Sequence, residues 1–120
     1  MRRLLAAIAV LALGLLPAVA SARYGVSGSR KAAITKAAFG APSPQCYRVY
    51  ISSASRFWAS AEFDPTRGYV SACQPYGSNG VVILRHRGSR WRIVTEGSSF
   101  STCPASVPIR IARDLRVPCP

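Results

Sequence analysis

The sequence predicts an α+β domain: an N-terminal helix packed on a four- to five-stranded antiparallel meander, a short C-terminal helix and two disulfides. Three observations point there. An Ala- and Lys-bearing stretch with helical spacing precedes the rest, several later segments alternate apolar and polar residues with period two, and 4 cysteines sit at wide spacing. A helix followed by hairpin-linked strands gives segregated layers rather than a parallel sheet.

The chain opens with Met1-Arg2-Arg3, an apolar run from Leu4 to Leu16, and the small-residue stretch Pro17-Ala18-Val19-Ala20-Ser21-Ala22. Residues 1–22 read as a secretory signal peptide cleaved after Ala20 or Ala22. About 13 apolar residues rising ~1.5 Å each reach about 20 Å, short of a ~30 Å hydrocarbon core. The run therefore reads as cleaved rather than anchored, leaving no transmembrane span and a secreted or extracytoplasmic product. No cysteine follows it to carry a lipid anchor.

Residues 23–30, rich in Ser, Gly and Arg, read as a flexible lead-in, and residues 31–120 as a single disulfide-stabilised domain. Ser27 or Ser29 can cap a helix through Lys31, Ala33, Ile34 and Ala37 to Phe39, with Gly40 as its stop and Pro42 and Pro44 preventing resumption. Its apolar face, Ala33, Ile34, Ala37 and Ala38, is thin, so the helix must lie close against a sheet.

Strands follow. In Cys46 to Ile51 the period places Tyr47, Val49 and Ile51 on one face; in Phe57 to Phe63 it places Phe57, Ala59, Ala61 and Phe63 together. Asp64-Pro65-Thr66-Arg67-Gly68 is a turn cluster, Tyr69 to Cys73 a short edge-strand candidate, and Gln74 to Gly80 a loop. The clearest signal is Val81 to Arg87, then Gly88-Ser89, then Arg90 to Glu96, a hairpin with a type II′ turn. Its register sets His86 with Trp91, Leu84 with Ile93 and Val82 with Thr95 on the core side. The other side carries Arg87 with Arg90, Arg85 with Arg92, and Ile83 with Val94. Finally, Ser106-Val107-Pro108 reads as a helix start with Ser106 as cap, Ile111 and Leu115 share a face, and the helix ends before Pro118.

Cys46, Cys73, Cys103 and Cys119 allow three disulfide connectivities. The preferred one is Cys46 with Cys73 and Cys103 with Cys119, because the second pair would clip the C-terminal segment to the body. No two cysteines have zinc-type spacing, and His86 lies 13 residues from the nearest cysteine, so no metal site is expected. Nor does any motif call for a cofactor.

Charge narrows the function. Lys and Arg number 16 against 4 Asp and Glu, a net +12 that favours anionic partners, though an Arg- and Ala-rich composition could arise from the genome alone. In the expected register Arg85, Arg87, Arg90 and Arg92 converge on one face with like charges opposed, an arrangement that lowers stability and hints at a use. Arginine's planar fork suits carboxylate and phosphate; the alternative is a solvated tip that discourages sheet-to-sheet association. No phosphate loop or aromatic ladder stands beside them, which favours the solvated tip; nucleic acid is not an expected partner. Trp58, Tyr50 and Tyr76 form a second candidate surface, with core packing the competing role for Trp58.

Catalysis is poorly supplied. His86 is the sole histidine, no strained Gly-x-Ser-x-Gly turn is present, and Glu62, Asp64, Glu96 and Asp114 are the whole stock of acids. Glu62 and Glu96 both end strands and could approach each other, yet neutralising arginines suits them better in so basic a chain.

Trp58-Ala59, the run Trp91-Arg92-Ile93-Val94-x-x-Gly97-Ser98-Ser99, Cys103, Val107-Pro108, and Asp114-Leu115 up to Cys119 together resemble small exported uncharacterised proteins of high-G+C bacteria. The resemblance runs from near Phe57 to the end and implies a Cys103–Cys119 pair and a non-cytoplasmic home; Cys46 and Cys73 look additional to it. It carries no catalytic residue or ligand. The helix-then-meander order is similar to cystatin-like or NTF2-like α+β rolls, which host inhibitors, enzymes and adaptors alike.

The expected function is thus a secreted, basic, non-enzymatic binding module for an anionic envelope polymer or an acidic protein, centred on Arg85, Arg87, Arg90 and Arg92. An inhibitor or adaptor using Trp58, Tyr50 and Tyr76 is the alternative. A small hydrolase using His86 has the least support.

Overall fold

Chain order is also spatial order in the sheet. In the computed structural model, which describes residues 22–40 and 43–120, β1 (Tyr24–Gly25), β2 (Tyr47–Ile51), β3 (Trp58–Phe63), β4 (Val81–Arg87) and β5 (Arg90–Gly97) lie side by side and antiparallel. Helix α1 (Gly28–Phe39) covers one face, and α2 (Ile109–Asp114) with its flanking residues covers the other. The chain is an α+β fold, as expected, with five strands. The signal-peptide reading, Ala22 apart, and the helix-stopping role of Pro42 fall outside the described residues.

The segment read as a flexible lead-in supplies β1 and the first turn of α1. Tyr24 pairs with Ile51 and Gly25 with Tyr50, and the Val26 N–H donates to the Val49 carbonyl at 3.1 Å. Two residues carry no periodic signal, so this strand is dictated by the open edge of β2 rather than by its own sequence. Ser27 is the extended N-cap of α1 without a side-chain hydrogen bond, and Gly40, at φ 93°, closes the helix by donating to the Lys36 carbonyl at 2.8 Å.

Ile34 and Ala38 of α1 pack on Val49, Ile51, Ala59, Ala61, Val82 and Leu84. The two alanines of β3 are fully buried beneath the helix, and their small side chains allow the close approach that a thin apolar face requires. That face differs from the expected one: Thr35 points inward and Ala33 is exposed. Thr35 Oγ1 donates to the Lys31 carbonyl at 2.8 Å, so its hydroxyl enters the core already satisfied.

On the opposite face Trp58 and Ile83 pack with Val107, Ile111, Ala112, Leu115 and Val117. Strand β3 is therefore covered on both sides, with Trp58, Ala59, Ser60 and Ala61 all buried, and not on one face alone as its alternation suggests. Phe57, expected on its inward face, precedes the strand and is 46% exposed. Ile111 and Leu115 share the buried face of α2 as expected, but Pro108 rather than Ser106 is the N-cap. The helix ends in a Schellman motif. Arg116, at φ 57°, donates to the Arg113 carbonyl at 3.2 Å while the Val117 N–H reaches the Ala112 carbonyl at 2.9 Å.

Two contacts bind this second layer to the sheet. Asp114 accepts from Ser52 and Ser53, described below. Arg23 Nη1 donates to the Leu115 carbonyl at 3.0 Å, with its guanidinium 3.8 Å from the centre of the Tyr50 ring.

Cys46 pairs with Cys73 and Cys103 with Cys119, the preferred connectivity. In the chain-entropy model loops of these lengths contribute about 3 to 3.5 kcal/mol each. Tyr69 to Cys73 forms turns rather than an edge strand, because the disulfide and the short 3₁₀ segments Pro65–Arg67 and Gln74–Tyr76 fold it back on itself.

Candidate functional site

The antiparallel register gathers arginines at one end of the sheet. Trp58 opposite Arg85, and Arg85 opposite Arg92, bring the 52–57 loop, the end of β4 and the start of β5 together. Gly88, at φ 60°, begins the expected two-residue turn, which sets Arg87 against Arg90 and Arg85 against Arg92. All four side chains are exposed on one face. Beyond Leu84 the register departs from expectation. An extra residue in β5 forms a bulge, so Ile83 pairs with Thr95 and Val82 with Glu96, not with Val94 and Thr95.

Arg56 lies in the 52–57 loop itself. Arg30 of α1 shares a cleft of about 320 Å³ with Arg56, Phe57, His86 and Trp91. Across Phe57 a second cleft of about 360 Å³ is lined by Ser55, Phe57, Trp58, Arg85 and Arg87 among others. Arg110 and Arg113 of α2 line a third beside Ala54. Guanidiniums from both helices, a loop and two strands thus surround one end of the sheet.

The acids are elsewhere. Glu62, Asp64 and Glu96 lie toward the opposite end, where Tyr47 pairs with Phe63 and Val81 with Gly97. Among the described residues the one ion pair, Arg48 Nη2 to Asp64 Oδ1 at 3.0 Å, is there too. Burial pushes the Asp64 carboxyl up, but hydrogen bonds from Thr66 and Arg48 outweigh it and hold the group below its ordinary range.

Asp114 is the single carboxylate near the arginine-rich end, and its oxygens are already engaged. Its Oδ2 accepts from Ser52 Oγ and from the Ser53 N–H, both at 2.7 Å, and its Oδ1 accepts from Ser53 Oγ at 2.8 Å. Burial pushes this carboxyl up as well; the serine donors prevail and its pKa lies below the ordinary value. Its role is to fasten α2 to the 52–57 loop.

Phe57 and His86 mark the crest between the first two clefts, and Trp91 lines the first. Phe57 and His86 lie near-parallel, with centroids 6.4 Å apart and planes 12° apart, and His86 meets Trp91 at 4.9 Å. Arg56 sits 5.1 Å from the Phe57 ring centre and Arg85 5.4 Å from that of Trp58.

The aromatic candidates form no shared surface: Trp58 and Tyr50 belong to one packed cluster and Tyr76 lies apart. Trp58 is 7% exposed and belongs to the core. Tyr50 packs beside that core under the Arg23 guanidinium. Tyr76 contacts Tyr47 at the far end of the sheet, with ring centroids 6.4 Å apart. Glu62 and Glu96 fail to converge as well: Glu62 shares its face with Val81 and Glu96 with Val82, so they point to opposite sides. Neither cleft that His86 lines includes a carboxylate. Among the described residues no three His, Cys, Asp or Glu gather where a metal ion could be held, and no helix is long and apolar enough to cross a membrane.

Sequence reasoning missed Arg30, Arg56, Phe57, Arg110 and Arg113 as members of this end. One local signal was available: Arg56-Phe57 places a cation and an aromatic ring in the connection between two strands, where exposed side chains serve contacts. No protein-family model, curated protein or solved structure matches the chain.

Proposed function

We propose that the protein is a non-enzymatic binding module that works outside the cytoplasm and docks on an anionic polymer of the cell envelope through the arginine-rich end of its sheet. One observation carries this reading: Arg30, Arg56, Arg85, Arg87, Arg90, Arg92, Arg110 and Arg113 share that end with Asp114 alone, whose oxygens are occupied by serines. Unpaired guanidiniums held near one another repel, so an arriving polyanion relieves repulsion as well as gaining charge-assisted hydrogen bonds. Two disulfides suit an oxidising compartment. The likeness to small exported bacterial proteins belongs to the same proposal.

The test is retention of the oxidised protein on isolated envelope material at low and moderate salt, beside a variant with Arg85, Arg87, Arg90 and Arg92 replaced by serine. Retention that weakens with salt and is lost in the variant is the expected result. Retention indifferent to both, or none at low salt, overturns the proposal.

A further inference from the structure

The cleft on the α1 side of Phe57 is more than added charge. We infer that it is a subsite for one sugar ring of a polyuronate, an acidic polysaccharide whose pyranose rings each bear a carboxylate. The inference rests on the anion-binding reading above and names its ligand class.

Its lining dictates that chemistry. Arg30 and Arg56 offer guanidinium donors, while the lining includes no carboxylate and no side-chain amide. Such a cleft selects a ligand that presents acceptors, and the arginine fork matches a carboxylate's two oxygens. The remaining walls are the rings of Phe57, His86 and Trp91. Their electron-rich faces attract the polarised C–H faces of a pyranose. At about 320 Å³ the cleft is at the lower end of ligand-pocket sizes and suits a single ring.

Two features bear on how the ligand lies. A flat base slotted between Phe57 and His86 needs two contact distances of about 3.5 Å each, but the near-parallel rings are 6.4 Å apart between centroids. A ligand must therefore lie across their outer faces. The anion-binding groups also continue over the crest: Phe57 lines both clefts, and Arg85 and Arg87 stand in the second. A chain that runs from Arg30 and Arg56 across Phe57 would meet Arg85 and Arg87 in the second cleft.

Titration calorimetry of the oxidised protein with four probes tests this: oligogalacturonate, poly-glutamate of equal charge, uncharged dextran and oligo-thymidylate. Oligogalacturonate should bind at least tenfold tighter than poly-glutamate. Phe57→Ala, at an exposed position, should abolish that excess; Arg30→Gln should weaken oligogalacturonate with the crest intact. An unchanged melting temperature certifies each variant as folded. Equal affinity for oligogalacturonate and poly-glutamate overturns the inference while the anion-binding reading stands. Dextran binding as tightly as oligogalacturonate removes the carboxylate requirement, and oligo-thymidylate binding as tightly replaces sugar with base stacking; either result overturns it. Binding of no polyanion defeats both readings.

Discussion

Ser53 holds Asp114 twice, its backbone N–H donating to Oδ2 at 2.7 Å and its hydroxyl to Oδ1 at 2.8 Å across 61 residues of chain. Ser52, itself buried, adds a third donor. The clamp sets where α2 lies against the 52–57 loop, and so where Arg110 and Arg113 stand relative to Arg56 and Phe57. The only carboxylate near the candidate site is thereby an architectural group whose charge is already spoken for.

Asp114→Ala should destabilise the fold by about 2–3 kcal/mol, because hydrogen bonds to a charged group are lost and the buried Ser52 hydroxyl loses its acceptor. For a chain of this size that is a fall in melting temperature of roughly 10–20 °C. Thermal unfolding followed by circular dichroism measures it. A melting temperature within two or three degrees of the parent's, on the same scale of about 4–8 °C per kcal/mol, would make the clamp incidental.

Acid should loosen the same clamp. Asp64 and Asp114 both titrate below the ordinary value of 3.8 in the folded protein. The unfolded chain therefore takes up protons first, and their stabilising contribution is complete above the unfolded value and lost as pH falls through the lower folded one. Melting temperatures recorded from about pH 6 to pH 2 should drop below about pH 4, less steeply in Asp114→Asn. Parallel profiles for parent and variant would contradict the assignment.

Arg116 occupies left-handed backbone at the end of α2, which for a residue with a side chain costs on the order of 1 kcal/mol. Arg116→Gly should therefore stabilise by about 0.5–1 kcal/mol despite glycine's greater freedom when unfolded, raising the melting temperature by roughly 2–6 °C. A decrease would mean that the arginine side chain contributes more than its backbone strain removes.

Opposed arginines at the hairpin tip should give a trade between stability and binding. Arg90→Glu puts an anion opposite Arg87 and should stabilise by about 0.2–1 kcal/mol, while weakening retention on a polyanion. Unfolding in urea and a salt-dependent binding assay read the two effects. Loss of stability together with unchanged binding would show that the tip is neither strained nor used.

What could be read from the sequence follows the range of each interaction. The hairpin was legible because a Gly-Ser pair between alternating segments fixes turn and register locally, and α1 because Gly40 stops a run of good helix formers. The residue that shifts β5 out of step after Ile93 left no local mark. Strand β1 was invisible because two residues cannot show a period. The covered second face of the sheet was missed for a different reason: a six-residue helix starting at Ile109 carries little pattern, and the role of Asp114 exists only once Ser52 and Ser53 arrive. The arginine-rich end was legible for its four hairpin members and for no others, since the rest come from elements joined only by the tertiary fold.

The Cys46–Cys73 bond has a consequence outside folding. Arg67 and Tyr69 are exposed within the loop it closes, the tyrosine almost wholly, at 92%. A trypsin-like protease cutting after Arg67 would sever the backbone without separating the pieces, and the same holds for cuts after Arg110, Arg113 or Arg116 between Cys103 and Cys119. Nicked molecules would migrate as one species until reduced. In surroundings rich in proteases, the cross-links let the chain outlast cuts made inside the two loops they close.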